Sequence, residues 1–147
     1  MTRRQIRETA FRILFALNFC PADQMQEQLD LYYTDHAQIE IDDLMEEEDQ
    51  KAVIRIDQAS WADVTDKCLG AAGHLAEIDR MIDQSSRGWK RSRMTKVDLT
   101  LLRLAIYEIA FEKLDAGIAI NEAVEMAKHY GTEKSPSFVN GILAKIS

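Results

Sequence analysis

The residues of this chain with the capacity for covalent or metal chemistry are three histidines (His36, His74 and His129), two cysteines (Cys20 and Cys68) and a large set of carboxylates. Their spacing serves neither purpose. No histidine stands at a metal-ligand interval from a cysteine, and neither a Gly-rich phosphate loop nor a nucleophile elbow occurs. The acidic run Glu46 to Asp49 lacks the alternating aspartates and the later glutamate of a calcium loop. Arg103 and Glu108 interrupt an apolar run, but their separation along one helix does not favour a direct pair. Separate partners on neighbouring helices, or a narrow polar strip, account for them better. We therefore expect no enzyme, no catalytic residue, no metal site and no cofactor, with the histidines as surface or hydrogen-bonded helix residues.

The other chemistry within reach is binding of a polyanion. Arg3, Arg4 and Arg7 crowd the start of an amphipathic stretch, where the helix dipole favours acids and disfavours bases. On charge alone a solvated helix end accounts for these arginines equally well; the awkward placement favours an anionic partner. Ser85 to Lys96 carries Arg87, Lys90, Arg91, Arg93 and Lys96 with no acid among them, and Trp89 sits inside the run. An aromatic among bases is a common way to hold single-stranded nucleic acid, by stacking plus phosphate contact. The alternative is that Trp89 caps the core while the bases stay in water. The net charge of −7 does not argue against such a partner, because the charge is segregated. Residues 23 to 50 hold eleven of the 25 acids and no Lys or Arg, so the remainder has 14 acids against 18 bases, a balance of +4.

The elements that must position these groups read as helices. Few prolines, few glycines and an abundance of strong helix formers predict an all-α fold, a compact single-domain bundle of about seven helices spanning residues 1–147. Its axis is Val97 to Phe111, apolar around most of its circumference, with Leu99, Leu102, Ile106 and Ile109 on one face and Thr95 to Asp98 as a capping-box-like start. Thr2 to Phe19 is the first helix, with a Thr2–Gln5 capping box and a stripe of Ile6, Ala10, Ile13, Leu14 and Leu17, ended by Pro21. A second helix begins at Asp23 and carries Met25, Leu29, Tyr32 and Tyr33. The acidic stretch Ile39 to Gln50 reads as a solvated helix end or connector. Ala52 to Leu69 predicts a third helix with Ile56, Ala59, Val64 and Leu69 inward. A stripe of Leu75, Ile78 and Ile82 predicts a fourth, and Ile118 to Tyr130 a later one stopped by Gly131. Ser135–Pro136 is an N-cap with Pro at the first helical position, opening a last helix with Phe138, Val139, Ile142, Leu143 and Ile146. Gly141 inside it costs about 1 kcal/mol relative to Ala, which calls for close approach of a helix or a ligand. The two cysteines read as buried thiols of a reduced compartment. The run Phe11 to Phe19 is broken by Arg12 and Asn18, so no signal peptide or membrane span is expected and a cytoplasmic location is.

Three motifs in order make the chain recognisable. Leu101-Leu-Arg-Leu-Ala-Ile-Tyr-Glu108, Ala119-Ile-Asn-Glu-Ala-Val-Glu-Met-Ala-Lys128 and Phe138-Val-Asn-Gly141 resemble successive signatures of the NusB family, and Arg7-Glu-Thr-Ala10 is similar to its first helix. The likeness is strong from Arg87 onward and at residues 3 to 17, and weak from Cys20 to Ser60. It implies a bacterial transcription antitermination factor that binds boxA RNA of nascent ribosomal RNA. Its implied partners are NusE, a small-subunit ribosomal protein, and the wider assembly of antitermination factors and RNA polymerase. It also implies that Arg3, Arg4, Arg7 and Phe138 face RNA, and that Phe15 and Asp98 face NusE. Lys134, Trp89, Lys90 and Arg91 extend the RNA track on their local chemistry. Phe15 stands where the family often has tyrosine, and Lys113-Leu-Asp-Ala116 replaces a common proline turn. The family permits a monomer or a homodimer. Its fold also occurs in a ribosomal RNA cytosine methyltransferase, but the chain ending at Ser147 favours a freestanding factor. The alternative function is a helical protein-interaction adaptor with no RNA sequence preference.

Overall fold

A computed structural model of the protein describes residues 1–35, 38–40 and 53–146, which fall into two compact units, Met1–Gly73 and His74–Ser147. Seven α-helices lie among the described residues, as the composition predicts. His36 and the acidic stretch from Ile41 through Glu46–Asp49 to Gln50 lie outside them.

The first unit contains α1 (Arg3–Ala16), α2 (Ala22–Asp35) and α3 (Gln58–Gly73), with α3 packed on both others. The Thr2–Gln5 capping box forms: the Gln5 amide donates to Thr2 Oγ1 (3.1 Å) and the Thr2 amide to Gln5 Oε1 (2.8 Å). Ala10, Ile13 and Leu14 are buried, and each of the two larger side chains contributes about 1.5–3 kcal/mol by leaving water. Pro21 is not what ends α1. The helix stops at Ala16, and Asn18 and Phe19 both take left-handed backbone (φ 52°). That conformation costs roughly 1–2 kcal/mol per non-glycine residue. It is held by burial of the Phe19 ring and by its amide, which donates to the Leu14 carbonyl (2.9 Å). Pro21 instead opens α2, its carbonyl accepting from Gln24 and Met25.

The third helix is shorter than predicted. Val53–Arg55 forms a strand (β2) antiparallel to Gln38–Glu40 (β1), with Ile39 opposite Ile54. Three β-branched residues within four positions (Val53, Ile54, Ile56) favour extended backbone. Asp57 then starts the helix by accepting from the Ser60 amide (2.7 Å), and this bond, with one from the Ser60 hydroxyl, holds the Asp57 carboxyl below its usual range. Ile56 is buried against Met1, Tyr33 and Trp61, whereas Ala59 is exposed. Cys68 is fully buried, and desolvation pushes its thiol up to about 12, so it is inert as a nucleophile. Cys20 is only half-buried, contrary to the expectation of two buried thiols.

The second unit contains α4 (Leu75–Ser85), α5 (Lys96–Ala110), α6 (Ala116–Tyr130) and α7 (Ser135–Ile146), and α5 packs against all three others. The predicted axis is therefore the axis of this unit. Leu101, Leu102, Leu104, Ala105 and Ile106 are buried, which confirms an apolar surface running most of the way round. Leu99 and Ile109, read as core, are only half-buried at the two ends. The turn after α5, which lacks the family's proline, places Lys113 in left-handed backbone (φ 59°), and Asp115 caps α6 through the Ile118 amide (3.2 Å). No helix among the described residues is long and apolar enough to cross a membrane.

Two readings of the last helix need correction. Ser135 is not an N-cap. It lies inside the first turn, fully buried, with its hydroxyl accepting from the Thr132 amide (3.0 Å). Gly141 is exposed, and nothing among the described residues comes within 4 Å of where its side chain would stand, so no neighbouring helix explains it. Gly131 is the glycine that close approach requires. A Cβ there would sit 2.6 Å from Ser135 Cβ and 2.9 Å from the Ala127 carbonyl oxygen. Gly131→Ala should lower stability by about 1–3 kcal/mol through overpacking. Urea unfolding checks this, with Gly73→Ala, where no atom lies within 4 Å, leaving the midpoint unchanged or raised.

Candidate nucleic-acid interface

In the first unit the capping box satisfies the opening amides of α1, and its first turn contains no acid. Arg3 is exposed and Arg4 half-exposed. Arg7, one turn on, is only 8% exposed and belongs to the packed face of the helix. Of the three arginines read as one cluster, the structure presents two to solvent. Phe15 is half-buried and stacked on Phe11, ring centroids 5.9 Å apart.

In the second unit the basic connection is built, not loose. It leaves α4 through a β-turn in which the Trp89 amide donates to the Ser86 carbonyl (2.8 Å) and Gly88 takes φ 81°. Positive φ at the third position is what a type II turn demands, hence glycine. The Ser86 hydroxyl, itself buried, lies 2.8 Å from the Ile82 carbonyl and 3.1 Å from that of Trp89. A 3-10 turn, Arg91–Arg93, follows. Arg91 then anchors the segment to α4. Its Nη1 donates to Asp79 Oδ2 (2.8 Å) and its Nε to Asp83 Oδ1 (2.8 Å). The Asp83 hydrogen bond, with the charges of Asp79 and Asp83, raises the Arg91 pKa further. Arg103 of α5 grips the same Asp79 with both Nε (2.9 Å) and Nη2 (3.0 Å). Arg103 thus has the separate partner on a neighbouring helix that its sequence position suggests.

This scaffold presents Trp89 51% exposed, next to Phe138 of α7, with ring centroids 5.9 Å apart and planes tilted by 59°. Lys134 is exposed one turn before Phe138, and Lys90 is exposed beside Trp89. The structure therefore brings together Trp89, Lys90, Phe138 and Lys134, while it commits the Arg91 guanidinium to carboxylates. Asp79 and Gly88 were missed as positioning residues. The four-residue step from Asp79 to Asp83 facing a basic loop was the available signal, but such acids on a helix are usually just solvated. Among the described residues, no group of three or more His, Cys, Asp or Glu could hold a metal. His74 is stacked on Phe111 (3.9 Å) and bonded to Glu77 (3.2 Å), a structural use.

Asp98 sits in the first turn of α5, 6% exposed, and its amide donates to Thr95 Oγ1 (3.1 Å). The cap is thus Thr95. The Asp98 Oδ1 atom is buried and has no hydrogen-bond partner among the described residues.

The NusB family profile matches residues 4–147, including the stretch where the motifs were silent. The chain belongs to the NusB family. It is 41% identical to the transcription antitermination protein NusB of Agathobacter rectalis, over 100% of both chains. It is 42% identical to that of Lachnoclostridium phytofermentans, over 99% of this chain and 98% of the relative. A solved structure of T. maritima NusB covers 99% of this chain with 90% of its own, at 31% identity and a TM-score of 0.74. This member of the NusB family shares the fold of that structure; its described residues form seven helices and two three-residue strands.

If Asp79 organises the interface, Asp79→Asn should cost about 2–3 kcal/mol, because it removes a charged acceptor that both Arg91 and the half-buried Arg103 share. Asp83→Asn, on the exposed side, should cost under about 1 kcal/mol. Chemical denaturation of the two variants decides the point, and equal small losses would reduce the network to surface decoration.

Proposed function

We propose that this protein is a non-catalytic transcription antitermination factor that binds boxA RNA of nascent ribosomal RNA together with NusE. In that role it helps other antitermination factors and RNA polymerase form a complex that reads through terminators. Membership of a family whose curated relatives are named transcription antitermination proteins supports the general role. The observation that carries the RNA reading is the exposed Trp89 beside Phe138, flanked by Lys90 and Lys134. Stacked aromatics with phosphate-binding bases are how proteins hold unpaired RNA. In this reading Arg3 and Arg4 supply further phosphate contacts, Arg7 and Arg91 position their segments, and residues 1–147 act as one domain, as a monomer or a homodimer.

Phe15 and Asp98 are the proposed NusE contacts. The unpartnered Asp98 oxygen supports this, since a buried carboxylate gains most from a donor that a partner brings. Asp98→Lys should abolish NusE pull-down while leaving helical circular dichroism intact; loss of the helical signal would assign Asp98 to folding instead.

For the RNA face, Arg3→Ala with Arg4→Ala should weaken boxA binding and reduce the salt dependence by about 0.7 in slope per lost phosphate contact on a single strand. Gel shifts over a salt series, with and without NusE, read both quantities. An unchanged affinity and slope would remove α1 from the RNA face. Ternary binding that treats scrambled and boxA RNA alike would favour a protein-interaction adaptor.

A further inference from the structure

Beside Trp89 the second unit contains an open groove of about 730 Å³, lined by Trp89 and Leu99 together with Asp83, Lys90, Arg91 and Ser92. Its size is within the roughly 300–1,000 Å³ of small-ligand sites. The groove is pre-formed. The Ser86–Trp89 turn, the left-handed Gly88 and the Arg91 anchor on Asp79 and Asp83 fix both walls. An indole left half in water by a rigid turn keeps a large apolar ring face open for a ligand to cover. The charge around the groove narrows the ligand. Lys90 lines the groove, and Arg87 and Arg93 are exposed close to it along the chain; none of the three has an ion pair among the described residues, whereas Arg91 has two.

We propose that this groove is a pocket for one unstacked nucleobase of single-stranded RNA. The base lies on the open face of Trp89 and against Leu99, and its flanking phosphates lie on Lys90 and the two free arginines. An apolar side chain of a protein partner would use the same floor but not three unpaired cations. A bare phosphate would use the cations but not the indole. Only a nucleotide uses both. Ser92, whose hydroxyl has no hydrogen bond among the described residues, lines the same groove and is the polar group left for the base edge, since both Asp83 oxygens accept from Arg91. Arg91 acts here as a positioning residue and touches no phosphate. The inference rests on the RNA-binding reading above and adds to it which residue takes a base.

The test uses the full chain with Trp61→Phe, which leaves Trp89 as the single indole. Titration with single-stranded boxA RNA should quench the Trp89 fluorescence with the same midpoint as the gel shift. Trp89→Ala should cost about tenfold in affinity and Trp89→Phe much less, since stacking tolerates another ring. Replacing boxA nucleotides one at a time by abasic sites should find one position that removes the quench and costs the same tenfold. That loss should not add to the loss from Trp89→Ala. Tight RNA binding with no quench, and with Trp89→Ala and Trp89→Phe both unchanged in affinity, overturns the pocket and leaves the RNA reading standing. Absence of any RNA binding by the Trp61→Phe protein and by the unaltered chain overturns both.

Discussion

One carboxylate, that of Asp79, holds the interface of the second unit in place. It accepts two bonds from Arg103 and one from Arg91, joining α4, α5 and the basic connection at a single point. Ion pairs at the surface contribute little, but here the carboxylate and the Arg103 guanidinium are largely withdrawn from water, where a hydrogen-bonded pair counts for more. The bidentate geometry also fixes direction, as a lysine in place of Arg103 would not. The exposed Trp89, its contact with Phe138 and the open groove all follow from that junction. So does the difference among the cations of the connection: the half-buried Arg91 is tied to two carboxylates, while Arg87, Lys90 and Arg93 are exposed.

The elements of this structure that were legible in the sequence are those set by local chemistry. The Thr2–Gln5 capping box is a contact between near neighbours. The apolar girdle of α5 is a pattern within fifteen residues, and Gly131 as the stop of α6 is likewise local. What could not be read depended on a partner distant in sequence or on a direction around the helix. Arg7 and Arg91 look identical to Arg3 and Lys90 as members of a basic cluster. Only the packed fold shows that one points inward and the other meets two acids on α4. Ser135-Pro136 has the residues of an N-cap, but Gly131 brings the chain so close that the serine is drawn inside the turn. The helix expected from Ala52 gave way to Val53–Arg55 as a strand because a β-branched run preceded the capping Asp57.

The family assignment adds reach that local reasoning lacks. The profile runs through residues 23 to 50, whose acidity alone has no functional signature, and ties them to the same chain-long likeness. The net charge of −7 is unevenly spread: the exposed cations of α1 and of the α4–α5 connection lie away from the acidic stretch in sequence. Averages over a whole chain conceal such partition.

The opening of α1 sets the exposed Arg3 at the positive end of a helix dipole whose first turn holds no acid. The ligand-free protein therefore carries an electrostatic self-energy at that end. An anion held at Arg3 would offset it, so occupancy and folding would be thermodynamically linked there: a polyanion settling on that residue would also make the first turn of the chain harder to fray.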